Sequence, residues 1–329
     1  MQNPNRRRFL GTLAAGAALA GGAGLATRAL AAPQAVVVGG GPAGAAAALA
    51  LRDMRPDAPV LLIERDPRRL GRSAGAFDRP AAGPDLAALR RAGVQVVLDD
   101  VVGLDWRAAR LELFSGRRLA FDALMLAPGT APLDEPIPGL DAVARHRWPA
   151  AWGSAREGQR LAAQLAALPE KAHVVLRLPS PLSHPQAALD RALRLAALLT
   201  RTRPAARLTV LEAGATPGLA DRFRAVAAPG MTWLTGPEGG AVLSVDAPAG
   251  TLETGAGRLR ADVVNFVGLQ GAGAIARVAG LADASGWCPV DAAGRSLHRS
   301  ETLILGDARK GATRQVAAAL ASARDAARA

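Results

Sequence analysis

Three glycines are spaced as G-x-G-x-x-G between the apolar residues 36–38 and an alanine-rich run over residues 45–51. This pattern predicts a buried parallel strand, a tight turn and a helix. Glycines at these positions let the backbone turn sharply, approach a pyrophosphate closely and pack the helix against the strand. The first amides of the helix then face the phosphates. The turn therefore predicts nucleotide binding through Gly39, Gly41, Pro42, Ala43 and Gly44, the alternative being a glycine-rich turn in another α/β fold.

Acidic residues end two further apolar runs. Glu64 follows residues 60–63, where a carboxylate can accept hydrogen bonds from a ribose diol and repels a 2′-phosphate, and Arg65 comes next. Asp307 follows Gly306 at the end of residues 302–305, where it can accept a hydrogen bond from a ribityl hydroxyl. A Gly-Asp pair alone is more often a helix cap. In the same chain as the glycine turn, it favours FAD over NAD.

A third apolar run, over residues 123–127, ends in Pro128 and Gly129. This run resembles a strand of flavoproteins with two dinucleotide-binding domains, which returns the chain to the nucleotide fold and leads out of the first FAD segment. The resemblance implies that both residues lie at the cofactor. Around it the pattern predicts a helix over 85–92, a strand over 94–98 and a hairpin of 111–114 with 117–121. The first nucleotide-binding segment therefore spans residues 32–135.

A second α/β block is predicted over residues 136–260, with helices over 157–168 and 186–199 and strands over 173–178 and 207–212. Its first turn, residues 179–185, contains three prolines and no glycine. The backbone there cannot approach a pyrophosphate, and prolines remove amide donors. We therefore expect no NAD(P)H site in this domain. Residues 261–329 return to the first domain, with strands over 262–267 and 302–305 and a last helix over 313–328.

The N-terminal segment combines Arg6, Arg7 and Arg8 with an uncharged Ala/Gly/Leu run and the small-x-small sequence Ala29-Leu30-Ala31. It predicts a twin-arginine export signal over residues 1–31 and a periplasmic protein. A membrane anchor is the alternative, but the run is glycine-rich and short for a span, so no permanent membrane anchor is expected. Export of folded proteins suits a chain that takes up its cofactor in the cytoplasm.

Composition excludes several classes of function. The formal net charge is +12, but the basic residues are scattered and aromatic residues make up 3% of the chain, so we expect no nucleic-acid binding. An acidic protein partner remains open through electrostatic steering. His146, His173 and His298 have no metal-ligand spacing, so no metal site is predicted. The sequence shows no clear Ser-His-Asp or paired-carboxylate pattern of the kind that would indicate a hydrolase.

The mature chain resembles the flavoprotein subunit of flavocytochrome c sulfide dehydrogenase and, more distantly, the sulfide:quinone oxidoreductases. The resemblance is carried by five segments, residues 36–44, 92–97, 126–129, 150–165 and 279–291, of which the last, around Cys288, is the most specific. It implies an α/β fold with two dinucleotide-binding (Rossmann-like) domains of the FAD/NAD(P)-disulfide reductase type. Members of that family continue into a C-terminal interface domain, whereas this sequence ends soon after Asp307.

The resemblance also implies a function. It implies FAD bound by the glycine turn, Glu64 and Asp307, oxidation of a small reduced sulfur compound, and electron transfer to a c-type cytochrome subunit. In the family a pair of cysteines forms a redox-active disulfide at the flavin. Here Cys288 matches one of them and His184 stands in place of the other, so no internal disulfide can form. A cysteine that tethers the flavin in some members would lie near Arg72 and Ser73.

Two roles for Cys288 stay open. It is either a nucleophilic thiolate whose pKa is lowered by an adjacent His184, or an inert, partly buried thiol. Two functions stay open as well. One is an exported FAD-dependent oxidoreductase of the sulfide dehydrogenase type, and the other is a non-catalytic FAD-binding or partner-binding subunit in sulfur metabolism.

Overall fold

A computed structural model describes residues 34–72 and 83–328 of the chain. The predicted export signal and Ser73 lie outside these residues. Within them, no helix is long and apolar enough to cross a membrane.

The first sheet contains five parallel strands in the order β17-β7-β1-β2-β3. These strands are β1 (Ala35–Val38), β2 (Val60–Glu64), β3 (Gln95–Leu98), β7 (Ala123–Leu126) and β17 (Thr302–Ile304). Helix α1 (Pro42–Met54) connects β1 to β2, and the C-terminal helix α8 (Val316–Arg328) packs on α1. The order of strands reverses between β1 and β7, and ligands of open α/β sheets bind outside the carboxyl ends of the strands at such a point.

The central strands of this sheet are buried on both faces. Alternate residues of β1 and β2, such as Val37 and Leu62, pack with α1 and α8. Val36 and Ile63 face the opposite side and pack against a small antiparallel sheet. That sheet consists of β4 (Val101–Asp105), β5 (Arg110–Leu113) and β6 (Arg118–Ala120). The predicted hairpin is therefore confirmed as β5 and β6, whereas β4 was missed because its glycine and half-exposed residues give a weak strand pattern.

The second sheet is also parallel, in the order β11-β10-β9-β15. Its strands are β9 (His173–Leu178), β10 (Arg207–Glu212), β11 (Met231–Leu234) and β15 (Val263–Phe266). The long helix α5 (Pro185–Thr202) follows β9. The sequence predicted that the chain returns to the first domain at residue 261. This boundary is corrected, because β15 pairs with β9 and not with the first sheet. The chain returns to the first sheet only afterwards, through β17.

The remaining elements flank or link the two sheets. The strands are β8 (Thr130–Pro132), β12 (Val242–Asp246), β13 (Thr251–Thr254), β14 (Gly257–Arg260) and β16 (Gln270–Ala272). The helices are α2 (Leu86–Arg91), α3 (Ala142–Arg147), α4 (Ala155–Ala166), α6 (Leu219–Arg224) and α7 (Ala274–Val278). Strands β8 and β16 pair as a two-stranded ribbon on the two passages of the chain between the sheets. The protein is thus a mixed α/β structure with two Rossmann-like units, as the sequence predicts.

Candidate functional site

A cavity of about 920 Å³ lies at the carboxyl ends of β1 and β7, where the strand order reverses. Its other walls come from helix α5, the turn after β17 and the start of α8. The structure brings together here all the residues that the sequence predicts to bind the cofactor: Gly39, Gly41, Pro42, Ala43, Gly44, Glu64, Arg65, Pro128, Gly129, Gly306 and Asp307. The cavity is within the range of volumes that ligand sites have.

The three glycines of the turn have different surroundings. A Cβ on Gly44 would lie 1.8 Å from the Gly39 carbonyl oxygen, and a Cβ on Gly39 would lie 2.2 Å from the Ala127 carbonyl oxygen. Both glycines are therefore needed to close the turn against the helix and the sheet. Gly41 differs, because the atom nearest to its Cβ would be the Arg72 carbonyl oxygen, 4.0 Å away. The space beside Gly41 belongs to the cavity, and a pyrophosphate would fill it.

Glu64 is buried at the end of β2 and is fixed by the backbone. Its Oε2 accepts a hydrogen bond from the Gly40 amide at 2.7 Å, and its Oε1 accepts one from the Asp66 amide at 2.9 Å. Each carboxylate oxygen can accept a further hydrogen bond. Glu64 thus holds the glycine turn while it lines the cavity, where a ribose diol would be its second partner.

Two observations independent of the glycine motif indicate a polar, anionic ligand. The Thr130 hydroxyl is buried without a hydrogen-bond partner, and Thr130 lines the cavity. Arg69 and Arg314 also line it, and burial lowers the pKa of both guanidinium groups below the ordinary value. A partly desolvated cation gains free energy from a nearby anion. The donors and charges present therefore fit a dinucleotide with a pyrophosphate.

Asp307 lies in a short 3-10 turn, Gly306–Ala308, that follows β17. Arg314 supports this turn, because its Nε donates to the Asp307 carbonyl oxygen at 3.1 Å and its Nη2 donates to the Arg309 carbonyl oxygen at 3.2 Å. The Arg314 guanidinium also lies 3.6 Å from the centre of the Trp287 ring. The backbone at Asp307 is thus held in place, and Asp307 lines the cavity.

His184 lies on the opposite wall of the cavity, at the N-cap of α5. Its Nε2 is 3.4 Å from Asp307 Oδ2, which joins the second unit to the first across 123 residues of sequence. The Ser183 hydroxyl is hydrogen-bonded to His184 Nδ1 at 2.8 Å. The sequence predicted His184 at the reaction site, and the structure places it in the same cavity as the predicted cofactor residues.

Cys288 does not line the cavity, although the sequence placed it with His184 at the reaction site. It is fully buried in the core under the first sheet. Burial and the charge of Asp283 raise the pKa of its thiol to about 12, the opposite of the direction that an activated thiolate requires. The interpretation as a thiolate activated by His184 is therefore wrong. The Cys288 backbone instead pairs with Ala308 and Lys310, beneath the Asp307 turn.

The second unit has the topology of a nucleotide fold, but the acidic residue in the position that would bind a ribose is not accessible. Glu212 ends β10, the strand next to β9, and is fully buried. Its Oε2 accepts a hydrogen bond from Trp233 Nε1 at 2.9 Å, and its Oε1 accepts one from the Thr216 amide at 2.6 Å. The acidic residue is thus used inside the protein, in keeping with the proline-rich turn before α5.

Helix α5 supplies polar cavity residues that the sequence analysis did not single out. Gln186, Asp190 and Arg194 follow one another at intervals of four and line the cavity with His184. Gln186 Nε2 donates to Asp190 Oδ1 at 2.7 Å. Their i, i+4 spacing was readable as one helix face, but nothing local showed that this face meets the first unit. Among the described residues, no group of three or more His, Cys, Asp or Glu could hold a metal ion.

Comparison with known proteins agrees with this architecture. Residues 33–176 match the sequence profile of the pyridine nucleotide-disulphide oxidoreductase family, so this part of the chain is related to that family. The fold is similar to that of reduced CoADR-RHD from Bacillus anthracis, with a TM-score of 0.69 and 16% identity over 90% of this chain and 56% of that chain.

Two further solved structures share the fold. An NAD-dependent persulfide reductase from A. fulgidus has a TM-score of 0.69 and 20% identity over 89% of this chain and 58% of that one. The sulfide:quinone oxidoreductase from the hyperthermophilic bacterium Aquifex aeolicus has a TM-score of 0.68 and 18% identity over 90% of this chain and 76% of that one. The chain spans less than three fifths of the length of the first two. The fold of the FAD/NAD(P)-disulfide oxidoreductases, predicted from the sequence, is thereby confirmed.

Proposed function

We propose that this protein is an FAD-dependent oxidoreductase. The observation that carries the proposal is that the glycine turn, Glu64 and Asp307 meet in one cavity, with the unpartnered Thr130 hydroxyl and two partly desolvated arginines beside them. The turn and the first amides of α1 would hold the pyrophosphate, Glu64 the ribose diol and Asp307 a ribityl hydroxyl. FAD, when bound, supplies a two-electron acceptor.

We propose further that the electron donor is a small reduced sulfur compound and the acceptor a c-type cytochrome subunit in the periplasm. The sequence resemblance described above supports this donor and acceptor. Two proteins of similar fold are named for sulfide and persulfide chemistry, which is in keeping with a sulfur substrate. The prolines before α5 and the buried Glu212 argue against NADH as the donor.

The second candidate is a non-catalytic FAD-binding or partner-binding subunit. One observation favours it: the sequence contains a single cysteine, and that thiol is buried outside the cavity. No cysteine of this chain can therefore form the disulfide on which the resembled family relies. Flavin reduction by sulfide separates the two candidates, because only the oxidoreductase requires it.

The test starts with the visible spectrum of the purified protein. We expect a flavin spectrum, or its appearance after added FAD, and complete release of the flavin on acid precipitation because no cysteine lies near Arg72. A colourless protein that does not bind added FAD contradicts the proposal. Flavin that stays attached after acid precipitation contradicts only the non-covalent binding.

Anaerobic mixing with sulfide is the second step. The oxidoreductase is expected to show bleaching of the flavin absorbance at a rate that saturates with sulfide concentration. The absorbance is expected to return when oxidised cytochrome c is added. Bound FAD that dithionite reduces and sulfide does not would support the non-catalytic subunit instead.

A further inference from the structure

We propose that His184 exchanges a proton with the substrate in the cavity, and that Ser183 and Asp307 position its ring for this. The inference rests on the proposed function, because it assigns a role beside FAD in the same cavity. The sequence resemblance puts a cysteine at this position, but the side chain here is an imidazole. A residue that cannot form a disulfide can still act by acid–base chemistry, and among side chains only histidine ordinarily titrates near neutral pH.

The ring of His184 is held from two sides. Ser183 Oγ is 2.8 Å from Nδ1, and the Trp152 ring meets the imidazole edge-on with 5.4 Å between the ring centres. Trp152 is itself held by the Arg191 guanidinium, 4.8 Å from the centre of the indole. The His184 side chain is 4% exposed, so a ligand reaches it through the cavity that it lines. Its Nε2 is therefore the ring atom left to act.

The contact between Nε2 and Asp307 is long enough for Nε2 to interact with a ligand as well. At 3.4 Å, it is longer than the 2.7–3.2 Å typical of good hydrogen bonds. Catalytic hydrogen bonds are often long without ligand and shorten when a ligand binds. Asp307 is 25% exposed at the cavity, so it can keep this contact and still bind a ligand hydroxyl.

The charges around His184 act in both directions. The Asp307 carboxylate favours the imidazolium, and Asp190, which lines the same cavity wall, acts in the same sense. Arg191 behind Trp152 and Arg194 on the cavity wall favour the neutral ring. Asp307 is the acidic group in contact with Nε2, so it is the group that stabilises a positive charge on the ring.

The proposed step is a proton transfer from an S–H group of a reduced sulfur compound. The N–H bond at Nε2 forms as the S–H bond breaks, and the electron pair stays on sulfur, so no electrons are exchanged in this step. Asp307 stabilises the resulting imidazolium. The product is a sulfur anion, the nucleophilic form of a thiol or of sulfide.

The first test measures protonation directly, without turnover. Imidazole ¹⁵N NMR spectra of the FAD-loaded protein, with the flavin already reduced by dithionite, are recorded at one fixed pH with and without sulfide, and the His184 signals are assigned by their absence in His184→Gln. We expect sulfide to move the Nε2 signal towards that of a protonated ring nitrogen, and to move it less in Asp307→Asn, because the carboxylate favours the charged ring. The exposed Asp291→Asn serves as the matched control and is expected to respond to sulfide as wild type does. An Nε2 signal that sulfide leaves in place, or that moves equally in Asp307→Asn, overturns the inference.

The second test is chemical rescue. His184→Ala is expected to slow sulfide-dependent bleaching of the flavin by about 100-fold or more, the usual contribution of a general base. Added imidazole is expected to restore part of the rate, with a pH profile that follows the pKa of free imidazole. His146→Ala, at an exposed histidine, is the control and should need no rescue. A purely structural role for His184 would give loss without rescue, and that result overturns the inference.

The outcomes keep the two proposals apart. A wild-type protein that does not bind FAD contradicts the proposed function, and the visible spectrum shows this before either variant is measured. FAD-loaded protein that sulfide reduces at the same rate in His184→Ala and wild type leaves the proposed function standing and overturns the role of His184.

Discussion

Arg177 and Glu135 form a buried ion pair where the two sheets of the protein meet, with Arg177 Nη2 2.5 Å from Glu135 Oε2. Their side chains are 4% and 11% exposed. Arg177 belongs to β9 in the second sheet, and Glu135 follows β8 on the way out of the first. Glu135 Oε1 also accepts a hydrogen bond from the Leu269 amide at 2.6 Å, on the returning passage of the chain. One carboxylate therefore joins both linkers to the second sheet.

We expect Glu135→Ala to lower the free energy of unfolding by about 3–5 kcal/mol, because it leaves the buried Arg177 charge unpaired. Urea denaturation measures this loss. The exposed pair Arg118–Glu112, 3.3 Å apart, is the matched control, and Glu112→Ala should cost about 1 kcal/mol or less. Equal losses in the two variants would show that Glu135 does not hold the linkers.

The two outer glycines of the turn and the middle one should respond differently to alanine. Gly44→Ala places a Cβ 1.8 Å from the Gly39 carbonyl oxygen, so the turn has to open. We expect a loss of about 1–3 kcal/mol in stability, as for other overpacked sites, together with loss of FAD binding. Thermal unfolding of the protein without FAD and quenching of FAD fluorescence measure the two effects.

Gly41→Ala is the matched variant, because Gly41 has a φ of −63° and open space around a new Cβ. Its stability should stay within about 0.5 kcal/mol of wild type. Its affinity for FAD should fall at least about tenfold, since the methyl group occupies the space proposed for the pyrophosphate. Wild-type FAD affinity in Gly41→Ala would mean that the cofactor binds elsewhere.

NADH and NADPH should not reduce the bound flavin at a useful rate. The turn before α5 lacks glycines, and Glu212 is committed to Trp233 and Thr216. Anaerobic stopped-flow mixing with NADH measures the rate, and dithionite serves as the positive control that the flavin is reducible. Rapid bleaching by NADH would instead identify a pyridine-nucleotide-dependent reductase.

Much of the first unit could be predicted because its signals are local. The glycine turn, Glu64 and Asp307 each follow an apolar strand, and parallel strands bring their carboxyl ends to one edge. Strand partners are set by distant parts of the chain, however, and nothing in residues 263–266 shows that they pair with β9. The state of Cys288 depends in the same way on packing: the segment around it resembles a redox site, but its thiol is buried.

The raised pKa of Cys288 predicts an unreactive thiol. With a pKa of about 12, roughly one thiol in ten thousand is ionised at pH 8, and the side chain is fully buried as well. We expect iodoacetamide to label Cys288 in urea but not in the folded protein, as read by mass spectrometry. Cys288→Ala should bind FAD normally and keep the wild-type rate of flavin reduction by sulfide within about twofold. A tenfold loss of that rate would show that Cys288 takes part in the reaction.

The same shift predicts how stability changes with alkaline pH. The thiol ionises near its ordinary value of 9.0 in the unfolded chain but only near 12 in the folded protein, so folding holds the proton more tightly. The contribution of this thiol to the free energy of unfolding is fully present below pH 9 and is lost as the pH rises towards 12. At pH 11 the loss is on the order of 2 kcal/mol. Few other groups interfere, because the sequence has no tyrosine. Urea denaturation at pH 8 and pH 11 should therefore show a smaller loss in Cys288→Ala than in wild type, and equal losses would contradict the raised pKa.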